Sequence, residues 1–247
     1  RSFSRKNLLF PFKLISSLLK SKKIIRKFQP DLVIGTGGFA SGPLLYASSK
    51  KGIPSVIQEQ NSYPGITNKL LARSVHKICV AYDNMERFFP KEKLIFTGNP
   101  IRKEILDFLD KREEGKNLFG LHNERITVLV VGGSLGAKTI NESINNNLEE
   151  FKKEQLNLIW QTGISYENQA EESVKSINES GIKSYKFIKK MDLAYAAADI
   201  IVSRAGAIAI SELCYVGKPV ILVPSPNVAE DHQTQNAQSL VNKNSAL

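Results

Sequence analysis

Short apolar runs alternate with longer segments of helical period along most of the chain. Runs that read as strands fall at 32–35, 55–58, 77–81, 94–97, 126–131, 156–161, 200–203 and 220–223. Several are continuous and β-branched, "ITVLVV" and "PVILV" among them. Parallel strands covered on both faces show that pattern. Between the runs, helices are predicted over about 11–28, 42–51, 65–73, 101–112, 137–153, 165–179, 191–197, 207–216 and 232–243. Repeated β-α-β order predicts an α/β fold of doubly wound parallel sheets. The stretch "KEILDFLDKREEGKNLFGLHNER" is polar and holds no strand, and the apolar run after it reads as the opening of a second sheet. Two domains are therefore expected, 1–102 and 103–247, meeting near 99–122.

Charge changes this picture at one end only. The 247 residues carry a net charge of +10, and residues 1–30 hold nine Lys/Arg and no acid. The rest of the chain is nearly neutral. A local basic patch suits an anionic surface such as lipid head groups or nucleic acid, or is a solvated helix face. Leu8, Phe12, Ile15 and Leu19 share one helical face, flanked by Arg5, Lys6, Lys13, Lys20 and Lys22. An apolar stripe with a basic rim fits a helix lying on a bilayer, and also a helix turned toward a core. Pro11 places the helix start near itself. No run of 18 apolar residues occurs, so no membrane-spanning helix is expected. Cys79 and Cys214 both lie in apolar runs, which predicts two buried reduced thiols rather than a disulfide or a zinc site.

Four stretches carry candidate chemistry. "DLVIGTGGFASGP" and "ITVLVVGGSLGAKTIN" each run from strand through glycines into a helix start. Small residues there let backbone N–H groups face an anion at the helix N-terminus. The third, "ADIIVSRAGAIAISELCYVGKPVILVPSP", places Ser211 and Glu212 one turn into a helix. A carboxylate there is placed to accept both hydroxyls of a vicinal diol, or is an ordinary first-turn acid favoured by the helix dipole. In the fourth, "PKEKLIFTGNPIRKEIL", an apolar run stops at Gly-Asn-Pro and Arg102 follows. A planar, permanently charged guanidinium suits a pyrophosphate, or pairs with nearby Glu104.

Segment 203–236 resembles the donor-binding half of nucleotide-sugar glycosyltransferases of GT-B architecture, with two Rossmann-like domains facing across a cleft. "QEQNSYPGITNKLLA", "GNPIR", "VVGGSLGAKTIN" and "FIKKMDLAYAAADIIVSRAG", in this order, resemble the MurG family. That family consists of membrane-associated transferases that add N-acetylglucosamine (GlcNAc) to undecaprenyl-diphospho-N-acetylmuramoyl-pentapeptide. The resemblance implies an inverting hexosyltransferase that converts lipid I to lipid II in peptidoglycan biosynthesis, and so serves cell-wall growth, cell shape and division. It implies a peripheral protein on the cytoplasmic face of the cell (inner) membrane. Its partners would be UDP-GlcNAc, lipid I, anionic phospholipids and other cell-wall synthesis proteins, with no nucleic acid. UDP-GlcNAc is the donor substrate, and no cofactor is expected. No Asp-x-Asp motif appears in a metal-binding context, so no bound metal is expected either. Another GT-B nucleotide-sugar transferase or a UDP-sugar epimerase is the alternative.

Residue by residue, the resemblance puts Asn61, Arg102, Ser134, Ile188, Ala207, Ile208, Ala209, Ile210, Ser211, Glu212 and Gln233 at the donor. Glu59 is the candidate for a catalytic base or positioning group. Gly35, Gly37, Gly38 and Ser41 would face the acceptor diphosphate, and Leu8, Phe12, Ile15, Leu19, Arg5 and Lys13 the membrane. Gln58 stands where the family usually has histidine, and Lys189 and Lys190 where it often has acids. The segment before Gln233 is one residue longer than the family pattern. The family's first glycine-rich loop and its last strand and helices have no counterpart here, so the chain reads as an internal fragment.

Overall fold

The computed structural model describes residues 10–226, 228, 231–243 and 245. Arg5, Lys6 and Leu8 lie outside the described residues. The chain divides into two compact units, Arg1–Asn99 and Pro100–Leu247. Arg102, read from sequence as the last residue of the first domain, thus belongs to the second unit.

The first unit runs α1 (Phe10–Phe28), β1 (Val33–Gly35), α2 (Gly38–Ser49), β2 (Ser55–Glu59), α3 (Ile66–Leu71), β3 (Lys77–Val80) and β4 (Leu94–Phe96). Its four strands are parallel and lie in chain order. Val33, Ile57, Ile78 and Val80 pack against Leu45 of α2, Leu71 of α3 and Phe89. On the opposite face Ile34 and Ile95 are 64% and 41% exposed, so the two-sided covering expected of parallel strands is met on one side only. Helix α1 turns Ser21 and Ile25 inward and leaves Phe12, Ile15 and Leu19 exposed.

The second unit runs α4 (Arg112–Phe119), β5 (Thr127–Val131), α5 (Lys138–Asn146), α6 (Leu148–Lys153), β6 (Asn157–Gln161), α7 (Glu167–Ile177), β7 (Ile182–Tyr185), α8 (Met191–Ala197), β8 (Ile200–Ser203), α9 (Ala207–Val216), β9 (Val220–Leu222) and α10 (His232–Val241). All five strands are parallel, in the order β7-β6-β5-β8-β9. Val128, Val130, Leu158 and Trp160 fill one core, and Leu129, Ile159 and Ile201 face a second one. Both faces of this sheet are covered, which is why "ITVLVV" has no polar alternation.

Several expectations need correction. The helix predicted over 101–112 is a 3₁₀ turn at Lys103–Asp107, with α4 starting after it. The helix predicted over 137–153 breaks at Asn147 into α5 and α6. Strand β7 was not expected, because at the sheet edge it carries Lys183 and Ser184 rather than an apolar run. Neither thiol is buried: Cys79 is half-buried and Cys214 exposed. On α9 the inward positions are Leu213 and Val216, which turns Cys214 outward.

Candidate functional site

Chain order places a site in the second unit before any side chain is considered. From β5 the sheet winds through β6 to β7, then returns to the other side of β5 for β8 and β9. In an open parallel sheet, the crevice beyond the carboxyl ends of the strands at such a reversal is where ligands bind. Two turns flank it: Gly132–Ala137 after β5 and Arg204–Gly206 after β8. The first is drawn tight by glycines. A Cβ on Gly136 would overlap the Thr162 carbonyl, and one on Gly163 would overlap the Gly136 backbone. Ser134 sits exposed at its tip. The N-cap residues of α5 and α9, Ala137 and Gly206, form no side-chain cap bond, and both helices begin at this end of the sheet, where a helix N-terminus favours an anion.

Arg204 straps these pieces together. Its Nη1 donates to the carbonyls of Val223 (3.1 Å) and Pro224 (2.8 Å), and its Nη2 to Thr139 Oγ1 (3.2 Å). Burial pulls its pKa below the usual guanidinium value.

Glu212, one turn into α9, is buried and already engaged. Arg102 Nε donates to Oε1 at 2.8 Å and Nη2 to Oε2 at 2.6 Å, a two-pronged ion pair. Tyr195 of α8 donates its hydroxyl to Oε2 at 3.4 Å. The hydrogen bond to Glu212 raises the Arg102 pKa above its usual value. Burial, then the Glu212 charge, pushes the Tyr195 phenol well up, so it stays a neutral donor. The carboxylate that Arg102 holds is Glu212, not the Glu104 considered from sequence. The exposed side of Arg102 lines a cavity of about 230 Å³ with Glu104, Ile105, Lys189, Lys190, Met191 and Asp192. Asp192 pairs with Lys111 at 3.4 Å.

The other residues of this unit that the resemblance assigns to the donor occupy the same end of the sheet in different ways. Ile188, after β7, donates its N–H to the buried Gln161 Oε1 at 2.9 Å. Ile208 is exposed on the first turn of α9, whereas Ile210 is buried with Ala205 and Ala237 and donates its N–H to Gly206 O at 2.9 Å. Ser211 Oγ donates back to Ala207 O at 3.0 Å. Gln233, in the first turn of α10, accepts the Ser225 N–H at 2.9 Å and so shapes the loop after β9. Among the described residues no three His, Cys, Asp or Glu side chains come together as a metal-ion site requires.

The first unit holds a separate polar cluster. Glu59 is buried and accepts from Asn61 N (3.1 Å), Asn61 Nδ2 (3.3 Å), Gly65 N (3.1 Å) and Asn68 Nδ2 (2.8 Å). Those four donors fill its lone-pair directions, so the carboxylate shapes the loop that carries Asn61. Gln58 donates to Gly98 O at 3.1 Å, and Asn99 Nδ2 to Gln60 O at 3.0 Å, so the Gly-Asn-Pro stop after β4 is a clasp onto the loop after β2. Gly35 is the last residue of β1 and abuts Leu45, which makes it a packing position. Gly37 and Gly38 have φ of +90° and +76°, and Ser41 Oγ donates to their carbonyls at 2.9 and 3.0 Å.

Tyr195, Gln161, Arg204 and Asn68 were not singled out from sequence. Tyr195 left one usable signal: a phenol amid the alanines of "LAYAAAD" needs a partner when that helix is buried.

Known proteins resemble this chain throughout. Residues 1–80 match the glycosyltransferase family 28 N-terminal domain and residues 127–247 its C-terminal domain. A UDP-N-acetylglucosamine--N-acetylmuramyl-(pentapeptide) pyrophosphoryl-undecaprenol N-acetylglucosamine transferase of Christiangramia forsetii is 53% identical over 247 residues, all of this chain and 66% of that protein. The Parabacteroides distasonis protein of the same name is 51% identical over 247 residues, covering 67% of its length. The chain thus spans about two thirds of the length of these relatives. The crystal structure of Acinetobacter baumannii MurG superposes with a TM-score of 0.73 at 31% identity, over 94% of this chain and 63% of that one. A UDP-GlcNAc 2-epimerase from Neisseria meningitidis shares the fold at a TM-score of 0.60 and 14% identity, over 93% of this chain and 72% of that one. With its parallel α/β units and relatives more than half identical along its whole length, the chain belongs to the MurG branch of glycosyltransferase family 28.

Proposed function

We propose that this chain belongs to an inverting hexosyltransferase of peptidoglycan biosynthesis. The reaction moves GlcNAc from UDP-GlcNAc to the C4 hydroxyl of N-acetylmuramic acid in undecaprenyl-diphospho-N-acetylmuramoyl-pentapeptide. The hydroxyl oxygen attacks C1 of GlcNAc and loses its proton. The C1–O bond to the diphosphate breaks, its electron pair leaves with UDP, and a β-1,4 link forms.

What supports this reading most directly is the guanidinium–carboxylate pair of Arg102 and Glu212 on α9, one of two helices that start at the switch point of the second sheet. Negative charge builds on the leaving diphosphate. Fixed dipoles and a permanent cation are what such a transition state calls for. In this reading Ser134 and the first turn of α9, residues 207–211, meet the phosphates, Ile188 the uracil, Glu212 the ribose and Gln233 the transferred sugar. Glu59 positions Asn61 rather than taking the C4 proton. Gly37, Gly38 and Ser41, with Gly35 behind them as packing, face the acceptor diphosphate. No resident cofactor or metal is invoked. The exposed face of α1 docks on anionic phospholipid at the cytoplasmic side of the cell membrane, where lipid I lies, and other cell-wall synthesis proteins meet the enzyme there.

Titration calorimetry of the chain with UDP-GlcNAc, UDP-glucose and GDP-mannose tests the donor assignment. UDP-GlcNAc is expected to bind tightest, and Arg102→Ala to weaken it by about tenfold or more, the loss of one charge-assisted contact. Equal binding of UDP-glucose or GDP-mannose would overturn the assignment and favour a different nucleotide-sugar enzyme of this fold.

A further inference from the structure

Both oxygens of Glu212 are already engaged in this structure, yet the proposed function asks it to take a ribose diol. A carboxylate offers about four lone-pair sites. Arg102 takes one on each oxygen and the Tyr195 hydroxyl another on Oε2. The Glu212 side chain is only 4% exposed, while that of Arg102 is 45% exposed. A diol that needs both oxygens therefore finds the guanidinium in its way.

We propose that Arg102 is a displaceable cover on Glu212, opened only by a ligand that brings a vicinal diol and a phosphate together. This deepens the nucleoside-diphosphate reading given above and rests on it. Three features of the site support the exchange. The outer side of Arg102 lines the 230 Å³ cavity together with Lys189 and Lys190. Of the two acids lining that cavity, Asp192 is committed to Lys111, so the cations prevail and an anion entering is drawn toward the guanidinium. Tyr195 is buried and approaches Glu212 from α8, so the carboxylate keeps one donor and its aim when Arg102 leaves.

The energetics make the requirement double. Glu212 is buried and Arg102 only half so; taking the cation away leaves a buried carboxylate uncompensated, which is strongly unfavourable. A diol alone gives Glu212 new donors but strips Arg102 of its carboxylate. A phosphate alone gives Arg102 an anion but strips Glu212 of its cation. Only a ligand with both groups at the right separation compensates both partners. Diol and phosphate are thus coupled through one ion pair, and the coupling is reciprocal. The site discriminates against free uridine and against free pyrophosphate by the same device.

The test is calorimetry with uridine, pyrophosphate and UDP on the wild-type chain, Arg102→Met and Glu212→Gln. The cover predicts opposite signs for whole and partial ligands. Arg102→Met binds uridine about tenfold tighter and UDP more weakly. Glu212→Gln releases the guanidinium, so pyrophosphate binds tighter and UDP more weakly. Thermal melts confirm folding, and Arg102→Lys, which keeps the charge without the fork, serves where Arg102→Met does not fold; its gain for uridine is smaller but of the same sign. Uridine and pyrophosphate affinities that fall or stay unchanged in the variants, while the wild type binds UDP, overturn the cover alone. A wild-type chain that fails to bind UDP overturns the donor reading and the cover with it.

Discussion

Glu59 and Glu212 are both buried carboxylates, and their surroundings give them opposite work. Glu212 is matched by a cation that has an exposed side and somewhere else to go. Glu59 is matched by four neutral N–H donors, two of them backbone or amide groups of Asn61 and one an amide of α3. Such a set fixes a loop and leaves nothing for proton transfer. Replacing Glu59 with Gln keeps its size but turns an NH₂ toward donors that need an acceptor. At least one buried donor is then unsatisfied, at a cost of about 1–3 kcal/mol. A urea unfolding midpoint for Glu59→Gln indistinguishable from wild type would contradict this. The sequence made "QEQN" visible as a polar stop to an apolar strand. That Asn68, nine positions on from Glu59, closes on the same carboxylate was not visible, because it depends on α3 folding back over the loop. Tyr195 was hidden for a related reason: its partner is on another helix, and only packing brings the two together.

At the scale of elements, the strands were mostly legible because burial on two faces writes itself as an unbroken apolar run. The reading failed where a helix or strand follows another logic. "REEGKNLF" looked like linker, being polar with a glycine at its centre, yet it is α4. Gly115 is there because α4 lies close against α8: an added Cβ would overlap the Leu193 carbonyl and come to 3.1 Å from Ala197 Cβ. Two effects therefore compete in Gly115→Ala. Intrinsic helix propensity favours alanine by about 1 kcal/mol. Overpacking against backbone, which does not yield as a side-chain tip does, costs about 1–3 kcal/mol. Packing wins, and the variant is expected to melt at a lower temperature than wild type. A raised melting temperature would mean that the α4–α8 contact gives way, and that the glycine is a tolerated weakness rather than a requirement of the fold.

At the scale of the whole molecule, the positive charge is concentrated toward the end of the chain where α1 also leaves apolar side chains exposed. Helix α1 leaves Phe12, Ile15 and Leu19 exposed, with Lys13 and Lys20 beside them. Among the described residues no helix is long and apolar enough to cross a membrane. Binding to a bilayer through α1 then draws on two independent terms. Each basic residue near an anionic surface contributes about 1 kcal/mol, and each apolar side chain taken from water about 1.5–3 kcal/mol. The first term fades with salt and the second does not. Vesicle sedimentation separates them. Wild-type chain is expected to bind vesicles containing phosphatidylglycerol far better than vesicles of phosphatidylcholine alone, with the difference shrinking as salt rises. Changing Phe12, Ile15 and Leu19 together to serine leaves the inward Ser21–Ile25 side of α1 intact, so the fold survives. That variant keeps the salt dependence and loses at least about tenfold in binding, well within what three apolar side chains supply. If it sediments with anionic vesicles as well as wild type does, the apolar face of α1 takes no part in membrane docking, and the basic residues act alone.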